Sequence, residues 1–185
     1  MAAIVLVGLR GAGKTTIGRL AANELGFGFV DADAELAAAV GRSVGDLLAA
    51  VGEPEFRRRE AGVVLPLLAA ADVAVIATGG GAVTIPAVRT ALAAPTLFVV
   101  WLQADVDTLA ARLAAAARHG GPSRPPLTSL PPAAELRALA AARAPLYRQV
   151  ADDTVDTAAG DAANAALEVA QRFRRWQAER SGRSS

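Results

Sequence analysis

The sequence predicts an α/β fold, a parallel sheet covered on both faces by helices. Three observations predict it. Short β-branched runs alternate with longer Ala/Leu stretches at helical spacing. The short runs are apolar from end to end, as strands buried on both faces must be. The glycines and carboxylates outside the hydrophobic pattern fall just after those runs, where parallel sheets hold their ligands. A chain of 185 residues, 53% of them hydrophobic, suffices for one domain with a sizeable core, although much of that fraction is alanine, which fills little volume.

The elements follow in order. "AIVLV" (Ala3–Val7) reads as a buried strand, and Lys14–Leu25 as a helix closed by Gly26. "FGFVDAD" (27–33) is a second strand ending in carboxylates. "SVGD" (43–46) fits a capping box opening a short helix, and a longer helix follows from about Glu53 to Ala70. "VAVIAT" (73–78) and "TLFVVWL" (96–102) are further strands, the first followed by "GGG". Residues 105–118 read as helix. "HGGPSRPPLTSLPP" (119–132) is too rich in Gly and Pro for regular structure. A helix resumes near Ala133 and runs towards Tyr147, "DTVDT" (153–157) is a short last strand, and a final helix starts near Asp161. The expected organisation is one domain over residues 1–176 and a disordered tail over 177–185.

Composition narrows the function. A net charge of +1 gives no footprint for a nucleic-acid partner. The absence of cysteine removes disulfides and thiolate metal sites, and a single histidine, His119, argues against a histidine-built metal centre. The opening "MAAIVLVGLRG" has no basic region, and its apolar run is too short for a signal peptide or a membrane span. The expectation is a soluble cytoplasmic protein with no membrane partner.

The decisive stretch is "GLRGAGKTT" (8–16), directly after the first strand. Gly8, Gly13, Lys14 and Thr15 satisfy G-x-x-x-x-G-K-[ST]. Glycines let the backbone turn so that successive N–H groups, including those of Gly11, Ala12 and Gly13, point at phosphate oxygens. The following helix, with Thr16 in its first turn, adds its positive end. Lys14 reaches the β- and γ-phosphates, and Thr15 offers a hydroxyl to Mg²⁺. The glycine order is not G-x-G-x-x-G, so a dinucleotide is disfavoured, and the guanine-reading N-K-x-D motif is absent.

The acceptor side must come from the remaining motifs. "DADAE" places Asp31 and Asp33 two apart, on one side of an extended segment. One can face the metal, and the other can take a proton from an acceptor hydroxyl; the competing reading is that Asp33 caps the next helix. In "FRRRE" consecutive helical positions diverge, so one or two of Arg57, Arg58 and Arg59 can face a common site and pair with a substrate carboxylate. "TGGGAV" lets the backbone approach a ligand at Gly79, Gly80 and Gly81, or is only a tight turn. In "SRPPL" a loop arginine, Arg124, is a candidate to close on phosphates. In "RAPLYRQVAD" Arg143 can clamp an anion, with Arg148 competing.

Taken in this order, "GLRGAGKTT", "DADAE", "GEPEFRRRE", "TGGGAV", "RPPL" and "RAPLYRQVAD" resemble the shikimate kinase family over nearly the whole chain up to about Asp156. The resemblance implies a three-layer kinase of the nucleoside-monophosphate-kinase type. It implies a five-stranded parallel sheet in the order 2-3-1-4-5 and a lid at about 112–132. It implies transfer of the γ-phosphoryl of ATP to the 3-hydroxyl of shikimate with Mg²⁺, by a monomer. By position, Asp33 binds shikimate and serves as base, and Asp31 belongs to the metal network. Arg57 and Arg143 hold the substrate carboxylate, Gly79–Gly81 line its pocket, and Arg124 approaches the phosphates from the lid. Arg112 and Arg118 compete for the adenine, which would also touch the loop at 158–161. The chain departs from the family pattern at Pro126, where a leucine is usual, and in a longer stretch between Arg112 and Arg124. The rival readings are a gluconate kinase or other small-molecule kinase of this fold, and a catalytically silent nucleotide-binding domain.

Overall fold

The computed structural model describes residues 2–119 and 130–182. Arg124 and Pro126 lie outside the described residues. The sheet has five parallel strands: β1 (Ala3–Val7), β2 (Gly28–Asp31), β3 (Ala74–Ala77), β4 (Leu97–Gln103) and β5 (Asp153–Asp156), in the order β2-β3-β1-β4-β5. This is the order implied by the resemblance. β1 lies at the centre, pairing Ile4 with Val75 on one side and with Phe98 on the other. All five of its residues are fully buried, which explains why its sequence shows no alternation.

Seven helices are described: α1 (Lys14–Leu25), α2 (Ala32–Val40), α3 (Val44–Ala69), α4 (Pro86–Leu92), α5 (Val106–Arg118), α6 (Pro132–Val150) and α7 (Ala162–Gly182). α1 packs on α7, α2 and α4 on α3, and α5 on α6. One large core fills the space between sheet and helices. A smaller one, Leu36, Leu47 and Phe56, binds α2 to α3 and carries the wall opposite the phosphate loop. Burying Phe56 there stabilises that wall by about 2–3 kcal/mol.

The structure corrects the sequence reading in three places. The second strand stops at Asp31 instead of running to residue 33. The Asp31 carboxylate accepts hydrogen bonds from the amides of Asp33 (3.0 Å) and Ala34 (3.3 Å), which starts α2. Asp33 is therefore helical, and the cap is Asp31. Neither α2 nor α4 is marked by periodicity: α2 is largely alanine, and α4 spans only seven residues behind Pro86. Finally, α7 continues to Gly182, so 177–182 are helical rather than disordered, with Arg180 stacked over Trp176 at 4.8 Å. The two helices expected on either side of Gly52 are found as segments of α3. They are separated by Gly52 at φ 74°.

Candidate active site

The carboxyl ends of the strands gather the residues singled out by the sequence. Beyond β1, Gly8, Gly11 and Gly13 adopt φ of 141°, 83° and 90°, values that side chains rarely tolerate. A Cβ on Gly8 would also run into the carbonyl of Leu102. The loop then opens α1 at Gly13, where no side chain caps the first-turn amides. The Lys14 ammonium donates to the carbonyls of Gly8 (2.8 Å) and Leu9 (2.9 Å), which holds it over the loop.

Thr15 Oγ1 donates to Asp31 Oδ2 at 2.6 Å, so the phosphate loop and the end of β2 are joined directly. Among the described residues no cluster of three or more His, Cys, Asp or Glu forms a self-sufficient metal site. A hydroxyl and a carboxylate beside a phosphate cradle nevertheless suit a hard cation that takes its other ligands from water and phosphate. Thr15 and Asp31 therefore fit Mg²⁺.

Opposite this loop the three arginines of "FRRRE" separate. Arg58 and Arg59 turn outward and donate to Glu55, and those bonds hold its exposed carboxyl down at about 2. Arg57 turns inward. It donates to Glu60 Oε2 (2.6 Å) and to Glu53 Oε1 (3.0 and 3.2 Å). Burial works against its charge, but Glu60 and then Glu53 outweigh it and raise its pKa above the ordinary value. Arg143 is buried and donates to the Gly80 carbonyl at 3.2 Å. Burial lowers its pKa from the ordinary range, partly relieved by Tyr147 and reinforced by the like charge of Arg57. Two guanidinium groups thus line one pocket, where an anion can pair with both. Arg148, the competitor of Arg143, lies instead over the Trp101 ring.

The glycine turn after β3 completes the pocket. A Cβ on Gly81 would overlap the Arg57 guanidinium, and one on Gly79 would overlap Glu60 and crowd Asp33 Oδ1. Gly79 and Gly81 are therefore closely approached by charged side chains. Arg57, Gly80, Gly81 and Arg143 line one pocket, against the apolar side chains of Val44, Leu48 and Phe56. Arg112 reaches from α5 to the phosphate loop and to the residue that follows β5. It donates to Thr157 Oγ1 at 3.1 Å, to the Thr157 carbonyl and, at 3.4 Å, to the carbonyl of Gly11. Its competitor Arg118 is exposed in the last turn of α5.

Sequence reasoning missed Glu60, Glu53, Tyr147 and Arg10. Glu60 lies three residues after Arg57 and Tyr147 four after Arg143, spacings that put each on its partner's helix face. That signal was available. Tyr147 is buried and donates to the Gly80 carbonyl at 2.5 Å, and burial raises its pKa far above that of a free phenol.

Fold and site together define a small-molecule kinase of the phosphate-loop class. Comparison with known proteins narrows the class. The family model described as shikimate kinase matches residues 10–174. A shikimate kinase from Symbiobacterium thermophilum is 55% identical over 149 residues, covering 80% of this chain and 82% of the relative. One from Mycobacterium tuberculosis is 49% identical over 154 residues, covering 83% and 82%. The solved shikimate kinase from Acinetobacter baumannii in complex with shikimate superimposes with a TM-score of 0.84 at 37% identity, covering 94% of this chain and 93% of that one. The chain belongs to the shikimate kinase family. A gluconokinase from Sinorhizobium meliloti, 19% identical with a TM-score of 0.55 and covering 93% of both chains, shares the fold.

Proposed function

We propose that this kinase transfers the γ-phosphoryl group of ATP to the 3-hydroxyl of shikimate, releasing ADP and shikimate 3-phosphate. The observation that carries the reading is the pocket itself. Two arginines, Arg57 and Arg143, line one pocket with Leu9 and Arg10 of the phosphate loop, and Asp33 stands close to Gly79 of the glycine turn.

In this reading the loop amides of Gly11, Ala12, Gly13, Lys14, Thr15 and Thr16 cradle the phosphates, and Arg112 flanks the adenine side. The substrate carboxylate lies between Arg57 and Arg143. Glu60 stays with Arg57 and fixes its plane, while the more exposed Glu53 gives way to the acid. The glycine turn lets the ring approach the backbone at Gly79–Gly81. The acceptor hydroxyl then points at Asp33, which takes its proton as the oxygen attacks phosphorus in line with the departing ADP. Lys14 swings from the carbonyls of Gly8 and Leu9 to the charge on the moving phosphoryl group. Thr15 and Asp31 would hold Mg²⁺, which in phosphoryl transfer neutralises charge on the β- and γ-oxygens. The reading includes a cytoplasmic monomer; among the described residues no helix is long and apolar enough to cross a membrane.

The test is ADP release with ATP and Mg²⁺ in the presence of shikimate, of gluconate, or of neither. Shikimate-dependent release with a shikimate 3-phosphate product upholds the reading. Release with gluconate alone makes the protein a gluconate kinase. Nucleotide binding without transfer to either makes it a regulatory domain.

A further inference from the structure

The acid pocket holds a third guanidinium group. Arg10 leaves the phosphate loop between Leu9 and Gly11 and lines the pocket beside Arg57 and Arg143, facing the apolar wall of Val44 and Phe56. Its donors are poorly used. Nε is buried with no hydrogen-bond partner, and Nη2 stands 3.7 Å from Oε1 of Glu135, within ion-pair range but beyond a hydrogen bond. A buried donor without an acceptor is costly, and its persistence asks for a ligand. Glu135, fully buried in the first turn of α6, supplies the counter-charge that keeps this arginine folded inward instead of extended into water.

Each neighbouring arginine keeps part of its donor set for a protein partner. Arg57 keeps Nη1 on Glu60 when Glu53 releases its Nε and Nη2 to the acid, and Arg143 spends Nη1 on Gly80. A carboxylate offers about four acceptor positions. We propose that Arg10 determines acceptor specificity in this chain. Its guanidinium engages the substrate carboxylate from the phosphate-loop side, and Glu135 holds it in place to do so. The inference rests on the reading that the carboxylate lies between Arg57 and Arg143. A third cation turns a pocket that accepts an acid into one that discriminates against a neutral ring.

The experiment separates charge recognition from a bracing role for the loop. Dissociation constants are measured by calorimetry for shikimate and for its primary carboxamide, which keeps the ring and hydroxyls but not the charge. The proteins are the unmodified enzyme, Arg10→Met, Arg10→Lys, the double variant Arg10→Met/Glu135→Gln, and Arg143→Met. Arg10→Met should weaken shikimate about tenfold and leave the carboxamide within about twofold, the scale of one charge-assisted contact. Arg10→Lys should recover part of the loss. The double variant, which leaves no ionised Glu135 behind, should repeat the pattern with a cooperative melting transition. Equal weakening of both ligands, or of neither, overturns the role given to Arg10. Loss of the acid preference in Arg143→Met but not in Arg10→Met leaves the pocket standing and removes Arg10 from it. Survival of that preference in both overturns the pocket assignment itself.

Discussion

Replacing Gly81 by alanine tests the acid pocket through a single methyl group. Gly81 has φ −102° and ψ −3°, an ordinary right-handed conformation, so alanine brings no backbone strain. The added Cβ would, however, overlap both terminal nitrogens and the central carbon of the Arg57 guanidinium. Ordinary contact needs about 3.5 Å, so the guanidinium must retreat by about 1 Å or more. It then leaves the position from which it donates to Glu60 at 2.6 Å and Glu53 at 3.0 Å, and it no longer faces Arg143 across the pocket. A misplacement of about 1 Å in a positioning group is worth up to about a hundredfold in rate. The expected result is a KM for shikimate raised about ten- to a hundredfold, with the KM for ATP within about threefold. Arg57 is the far end of a flexible side chain, so the fold should tolerate the change with a loss below about 2 kcal/mol in denaturant unfolding. Steady-state kinetics by coupled ADP detection reads the first effect. The same substitution in an Arg57→Ala background should add almost nothing, because the methyl then meets no guanidinium. An unchanged KM in Gly81→Ala, or full additivity in the double variant, refutes the argument.

Three further predictions follow from the same geometry. Asp33→Asn should bind ATP nearly as before, yet turn over at least about a hundredfold more slowly; near-normal turnover removes Asp33 as the base. Arg112→Ala breaks the bridge between Gly11 and Thr157 and should raise the KM for ATP several-fold while sparing shikimate; the opposite split in substrate-saturation kinetics would place this arginine elsewhere. Tyr147→Phe bears on stability against pH. Burial raises the phenol's pKa in the folded state above its unfolded value of 10.0, so above about pH 10 the unfolded chain releases a proton that the folded chain keeps, and stability falls as pH rises. Tyr147→Phe should lose about 1 kcal/mol at neutral pH with its bond to Gly80 and should melt with a shallower decline between about pH 9 and 11; parallel melting curves would contradict the assignment.

By itself the sequence determined the phosphate loop, because that device is local. Gly8, Gly13, Lys14 and Thr15 act through backbone conformation and reach within one turn, and nothing distant is needed to see it. It also determined the sheet's parallel character, since a strand buried on both faces has to be apolar throughout, as β1 is. The acceptor pocket is a different matter. "FRRRE" holds three arginines of one kind, and only the packing of Phe56 against Leu36 and Leu47 turns Arg57 inward and sends Arg58 and Arg59 to Glu55. The same is true of Asp33, which sequence spacing put on an extended strand and which the cap made by Asp31 moved onto a helix. Arg143 turns to Gly80 while Arg148 lies over Trp101, and Arg112 reaches Thr157 while Arg118 stays exposed, because of where α6 and α5 lie against the strand ends. Tertiary structure decided these because a charged side chain's role depends on which neighbours exclude water from it. Those neighbours come from parts of the chain far apart in number: Arg10 meets Glu135, and Arg143 meets Gly80, only when the sheet has formed.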